Sequence, residues 1–265
     1  MQFHTNKSPQ ECLEIAKDKH FYHSFDLSNA VKIGGDWSIQ ADIAGYQFPD
    51  MRGKRVLDLG PASGWFSFYL EALGADVTVV ESRGYGDFDV YGVDRYSPPD
   101  RAPDRIVAGK PFWDGPHSPS FWAMHEILGS RVKFVNGKFY DAPELFAEPF
   151  DVVLACNILQ HVRDPIGVLR AAHSVCRGVC IAVHQTWMDH DDSPWPCAQY
   201  PFFHVDRVSW AQPNKVLFEH WFKAAGFQSV NTDSFVGCTP DIENRNAAGV
   251  LMNSPIQLRL AHAIA

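Results

Sequence analysis

Residues 53–81 read GKRVLDLGPASGWFSFYLEALGADVTVVE. Val56–Leu59 and Val77–Val80 are short unbroken apolar runs, as expected of parallel strands covered on both faces. Between them Trp65–Leu73 reads as a helix, with Phe66, Leu70 and Leu73 on one face and Gly74 as its stop. The junction 60–64 (GPASG) is made of small residues and one proline. Such a turn lets backbone N–H groups and the helix N-terminus approach a ligand closely. Glu81 ends the second run, where a carboxylate can accept both hydroxyls of a ribose.

The alternation continues downstream. Val132–Val135, Asp151–Ala155 and Val179–Val183 read as further strands. Asp164 caps a helix that starts at Pro165 and runs to about Cys176. Another helix is expected from Pro213 to just before Gly226. Phe227–Val230 and Ala247–Met252 are candidates for two last strands. Upstream, Ser8, Pro9 and Glu11 form an N-terminal helix signature over residues 8–19. Strands alternating with helices predict a mostly parallel α/β sheet covered on both faces. Residues 1–52 are expected to be a cover over the main domain, 53–265. Two long Pro- and aromatic-rich stretches, 82–118 and 184–212, break the rhythm and are expected to be ordered insertions over a site.

With 265 residues the chain is long enough for one substantial core. Its net charge is −8 and its pI is near 5.8, which disfavours a polyanionic partner such as nucleic acid. The six cysteines form no CxxC pair, so no disulfide framework is expected. No apolar run is long enough to cross a bilayer. The opening MQFHTNKSPQEC lacks the apolar core of a signal peptide, so the expectation is a cytoplasmic protein without a membrane partner.

Two cofactors compete for the 60–64 turn. A dinucleotide loop would read GxGxxG, but those positions hold Gly60, Ala62 and Trp65. A Trp where close helix–strand packing wants glycine argues against a nicotinamide-dependent oxidoreductase. The spacing Asp58-x-Gly60-x-Ala62-x-Gly64 resembles instead the Asp/Glu-x-Gly-x-Gly-x-Gly motif of class I S-adenosylmethionine-dependent methyltransferases, with Ala for the middle Gly. FDVVLACNILQHVRDPIGVLRAAHSV (150–175) is similar to that superfamily's fourth strand, loop and next helix, and PNKVLFEHWFKAAGF (213–227) to its late helix. YHSFDL (22–27) and HVRDP (161–165) resemble the tRNA wobble-uridine methyltransferase-like branch. The resemblance implies a Rossmann-like, mostly parallel seven-stranded sheet. It also implies S-adenosylmethionine as cofactor, held by Asp58, Gly60, Ala62, Gly64, Glu81, Phe139 and Asn157. The adenine is expected near Gly137–Phe139, with Lys138 standing where the family commonly carries an acid.

The chemistry such a site needs is alignment, plus a base if the acceptor is an alcohol or phenol. His184 and His161, at the ends of strands, are the leading base candidates. His23, Trp187, Trp195 and Trp210 are candidates to touch the acceptor. The expected function is methyl transfer to oxygen or nitrogen of a small organic molecule, with an RNA (tRNA) methyltransferase as the alternative. A non-catalytic module of the same fold is a further class. The cluster His184, Asp189, His190, Asp191, Asp192 and His204 reproduces no specific ligand spacing. Asp189–Asp192 reads equally as a solvated turn, and no metal is expected.

Overall fold

The computed structural model describes residues 1–81, 106–107, 110–111, 119–200, 210–240 and 256–265. Seven strands carry the fold: β1 (Arg55–Leu59), β2 (Asp76–Glu81), β3 (Lys133–Asn136), β4 (Phe150–Cys156), β5 (Cys176–His184), β6 (Ser229–Pro240) and β7 (Ile256–Ile264). They lie in the order β3-β2-β1-β4-β5-β7-β6. β1 through β5 pair in parallel, and β7 runs antiparallel to both β5 and β6. A two-residue strand, Trp37–Ser38, extends the sheet beyond β6. This is the mostly parallel, Rossmann-like sheet expected from the sequence.

The connection after β3 returns to the far side of β1. The chain order therefore reverses between β1 and β4, and in open α/β sheets a ligand binds outside the carboxyl ends of the strands at that point. Both faces are packed. Val56, Val77, Val79, Val152, Leu154, Ile181 and Leu260 point to one buried cluster, and Leu57, Leu59, Val80, Val153, Ala155, Ala182 and Ala261 to the other.

Among the described residues five helices of eight or more residues flank the sheet: α1 (Pro9–Ala16), α2 (Trp65–Ala72), α3 (Pro119–Leu128), α4 (Pro165–Ser174) and α5 (Lys215–Ala225). α1 starts with the reciprocal Ser8/Glu11 capping box. Asp164 caps α4, accepting from the Gly167 N–H at 2.7 Å. α5 starts two residues later than expected. Pro213 stays extended in a short ladder, and Asn214 is the true cap, accepting from the Leu217 N–H at 3.0 Å.

α2 also departs from the single-faced helix the sequence suggests. Leu73 is exposed, whereas Trp65, Phe66, Ser67, Phe68 and Leu70 are all buried. The N-terminal segment supplies the second layer. Phe3 meets Trp65 edge-on at 5.5 Å, Tyr46 meets Phe66 at 5.0 Å, and Phe25 meets Phe68 at 6.4 Å. Trp65 itself stacks on Tyr69 at 5.3 Å. The Trp that disfavours a dinucleotide loop is thus the ring on which the N-terminal segment is mounted.

Of the 82–118 insertion only Ile106–Val107 and Lys110–Pro111 are described, as an antiparallel pair. His204 and the strand candidate Ala247–Met252 lie outside the described residues, and the last strand described is Ile256–Ile264. No described helix is long and apolar enough to cross a membrane.

Truncating a fully buried Trp leaves a large cavity and typically costs about 3–5 kcal/mol. Trp65→Ala is expected to lose that much in denaturant unfolding. A loss below about 1 kcal/mol would show that this ring does not hold the N-terminal layer.

Candidate active site

The turn after β1 takes an unusual backbone path. Gly60, Ala62 and Gly64 have φ of +74°, +50° and +83°, so every second residue is left-handed. Alternating handedness of this kind turns successive N–H groups toward one concave side, a geometry that suits anionic or electron-rich groups. Gly60 is anchored by its N–H to the Val80 carbonyl at 3.0 Å. A Cβ there would lie 2.6 Å from Ile158 and 3.1 Å from Phe139. A Cβ on Gly64 would strike Phe68 and Phe121. Both positions therefore exclude side chains by space as well as by φ. Ala62, where the family motif has Gly, keeps the left-handed conformation at the modest cost a small residue incurs.

Asp58 lies under this turn, buried in β1, and the Ser67 hydroxyl of α2 donates to its Oδ2 at 2.5 Å. Burial pushes its pKa up from 3.8 to about 6, against the lowering by Ser67. Glu81 is buried at the end of β2, in register with Asn136 at the end of β3. Phe139 follows that strand and packs under Gly60. Asn157 leaves β4 in a left-handed conformation (φ +57°), its N–H donating to the Val183 carbonyl at 2.7 Å. The expected cofactor residues thus converge on the carboxyl ends of β1, β2, β3 and β4.

The histidines fare differently. His184 is completely buried at the end of β5, stacked on Phe218 with centroids 5.5 Å apart. Burial, with a smaller contribution from His161, pushes its pKa down to about 3. At neutral pH it is an uncharged imidazole, a weaker base than an exposed histidine. His161 is half-buried in the short turn Leu159–His161, its Nε2 3.3 Å from the Gln160 amide nitrogen. His23 is buried in the N-terminal segment, edge-on to Phe66 at 6.2 Å, with a pKa pushed down to about 3 by burial. Trp210 joins the His161 side, its N–H donating to the Gln160 carbonyl at 2.6 Å and its ring facing the Arg163 guanidinium at 5.0 Å. Trp187 is half-buried against His190. Trp195 is 75% exposed, so it is not drawn in with the other candidates.

Among the described residues no group of three or more His, Cys, Asp or Glu is placed to hold a metal. Asp191 is engaged elsewhere, accepting from the Lys215 N–H at 2.8 Å and from the buried Arg259 guanidinium.

Several site residues carry no sequence signal of their own. Ser63 accepts from the Tyr22 N–H at 2.8 Å and bonds the Ser120 hydroxyl at 3.0 Å, joining the turn to the N-terminal segment and to α3. Ser67 could be read only as a polar residue at the third position of an apolar helix. Asn136, Gln160 and Ile158 are ordinary residues after ordinary strands.

The set fits a nucleoside-bearing sulfonium cofactor. The cradle at Gly60 would be filled by any Cβ, an acid ends β2, and the buried Oδ1 atoms of Asn136 and Asn157 lack partners among the described residues.

Comparison with known proteins agrees with this geometry. A family model described as a methyltransferase domain matches residues 40–232. A tRNA U34 carboxymethyltransferase of Pseudomonas putida (strain W619) is 23% identical over 182 residues, covering 68% of this chain and 48% of that protein. The chain therefore spans about half the length of this curated relative. Among solved structures, the N-terminal domain of EvdMO1 with SAH bound superposes with a TM-score of 0.58 at 15% identity, covering 97% of this chain and 95% of that one. The same domain in the presence of SAH and D-fucose gives 0.56 at 14% identity over the same shares. The chain belongs to the methyltransferase domain family and has the class I S-adenosylmethionine-dependent methyltransferase fold.

Proposed function

We propose that the chain transfers a methyl group from S-adenosylmethionine to an oxygen or nitrogen of a small organic molecule. The observation that carries the reading is the bare, left-handed turn at Gly60–Gly64 set between buried Asp58 and Glu81 at the sheet's switch point. When bound, the cofactor supplies a methyl already activated by positive sulfur. What remains for the protein is to hold it, align the acceptor and exclude water. Asp58, Gly60, Ala62 and Gly64 hold the amino-acid end, Glu81 accepts the ribose hydroxyls, and Phe139 and Asn157 flank the nucleoside. Residues 1–52 and the described parts of the segment after β5, 185–200 and 210–212, cover the acceptor, with His23, Trp187 and Trp210 toward it. His161 takes a proton where the acceptor must lose one, and His184 orients it as an uncharged ring. The excess of acid over base, net −8, supports a small acceptor over a polynucleotide. The name of the Pseudomonas relative favours a tRNA acceptor as the second reading, which requires a local basic strip to offset that charge.

Asp58 makes the reading pH-sensitive in two opposite directions. Its folded pKa is raised, so the stability it contributes is full below 3.8 and is lost as pH rises through about 6. Asp58→Asn is therefore expected to stabilise the free protein at pH 8, by on the order of 2–3 kcal/mol. A cationic cofactor needs the carboxylate, so wild-type affinity is expected to be flat above pH 7 and to fall by up to about tenfold per unit below pH 6. Thermal unfolding and calorimetry across pH read the two effects. An Asn variant that binds as tightly as wild type would remove Asp58 from the site.

Glu81→Ala is expected to weaken S-adenosylhomocysteine (SAH) by about 1–3 kcal/mol, the scale of lost hydrogen bonds to a charged group. Unchanged affinity in a folded variant would leave the ribose assignment without support.

The acceptor is tested by methyl-labelled S-adenosylmethionine against a small-molecule library and bulk tRNA in parallel. Label is expected in a small molecule, and His161→Gln is expected to slow an oxygen acceptor by about 10²–10⁴-fold with SAH affinity unchanged. Label in tRNA alone would replace the first reading with the second.

A further inference from the structure

Buried polar atoms normally have partners, and each one without a partner costs about 1–3 kcal/mol. Three such atoms belong to residues at or just after the ends of β4 and β5: Asn157 Oδ1, Gln160 Oε1 and His184 Nδ1 have no partner among the described residues. Backbone hydrogen bonds link the segments that carry them. Asn157 is bonded through its N–H to Val183, the neighbour of His184. Trp210 and Ala211, adjacent in sequence, tie the other two together. The Trp210 N–H donates to the Gln160 carbonyl at 2.6 Å, and His184 Nε2 lies 3.2 Å from the Ala211 carbonyl.

The chemical sign of the group follows from these contacts. A carbonyl oxygen can only accept, so His184 Nε2 carries the ring proton. Burial keeps the ring uncharged, which leaves Nδ1 as a bare lone pair. Gln160 is oriented by its neighbour: its amide nitrogen donates toward His161 Nε2 at 3.3 Å, leaving Oε1 as an acceptor. The group is thus a set of uncharged acceptors. An anionic ligand would set its own lone pairs against them. A ligand with an O–H or N–H would recover the free energy these unmade bonds cost.

We propose that the methyl acceptor is a neutral hydroxyl- or amine-bearing molecule that donates to His184 Nδ1 and Gln160 Oε1, and that carboxylates and phosphates are rejected there. This rests on the methyltransferase reading and narrows its substrate class. It also assigns His184 as a positioning residue that selects the donor.

The test uses the full chain labelled with ¹⁵N-histidine and saturated with SAH, with saturation checked by calorimetry. His184→Phe, which keeps an aromatic ring over Phe218, identifies the His184 resonances. Methanol is the donor probe and formate the anionic one, matched in size. The Nδ1 signal is expected to have the position of an unprotonated imidazole nitrogen and to move saturably toward its hydrogen-bonded position with methanol but not with formate. A protonated Nδ1 at the outset, no response to methanol, or an equal response to formate would each overturn the proposal. Failure to bind SAH would overturn the methyltransferase reading instead, so the two failures are told apart in one sample.

Discussion

The candidate site depends on a five-residue turn in which two positions, Gly60 and Gly64, have no room for a side chain. Between β1 and α2 the chain takes a left-handed step at Gly60, Ala62 and Gly64, and at two of them a single added carbon would collide with neighbouring rings or with Ile158. The strand before the turn is fixed by its parallel partners on both sides, Val79 and Val80 of β2 and Val152–Leu154 of β4. The helix after it is fixed by an aromatic layer. With both ends held, the turn is pinned in place, its Gly60 N–H donating to the Val80 carbonyl and its Gly64 N–H to the Pro61 carbonyl. That pre-organisation lets a ligand bind without the entropy loss of ordering a loop.

The N-terminal segment belongs to the same constraint. It buries the outer face of α2 through Phe3, Phe25 and Tyr46, and it reaches the turn itself through the hydrogen bond from Tyr22 to Ser63. Ser63 passes the connection to α3 through Ser120. The cofactor turn, the N-terminal layer and α3 thus share one polar junction inside an otherwise aromatic cluster. Buried polar junctions of this kind fix one arrangement among the many that a purely apolar interface would tolerate. Across the sheet, α4 and α5 form the opposite layer, and the buried Arg259 on β7 bonds the Thr232 carbonyl at 2.7 Å and reaches Asp191 in the segment after β5.

The fold was legible because its strands are buried on both faces and so read as plain apolar runs, and because Asp164 and Gly226 punctuate helices by local chemistry. Legibility ended where tertiary contact overrides local pattern. The start at Pro213 was misplaced because the Asn214 side chain bonds across to the His190 and Trp195 carbonyls while capping α5, which no local pattern reports. The one-faced reading of α2 failed because nothing in residues 65–73 shows that Phe3 and Tyr46 pack on its outer side. The cofactor side proposed for the site is read from Asp58, the small residues of the turn and Glu81, which backbone conformation or charge singles out in the sequence. The histidines are not so marked. A histidine at a strand end can be a base or a buried neutral ring, and the difference for His184 lies in Phe218, Trp221 and Ala211, more than 25 residues away in sequence.

The central claim is that the Gly60–Gly64 turn with Glu81 holds a sulfonium nucleoside and not a dinucleotide. Parallel calorimetric titrations of the wild-type chain with S-adenosylmethionine, SAH and NAD test it directly. The account predicts one-site binding of both sulfur compounds and no heat with NAD. Binding of NAD with no response to either sulfur compound would contradict it.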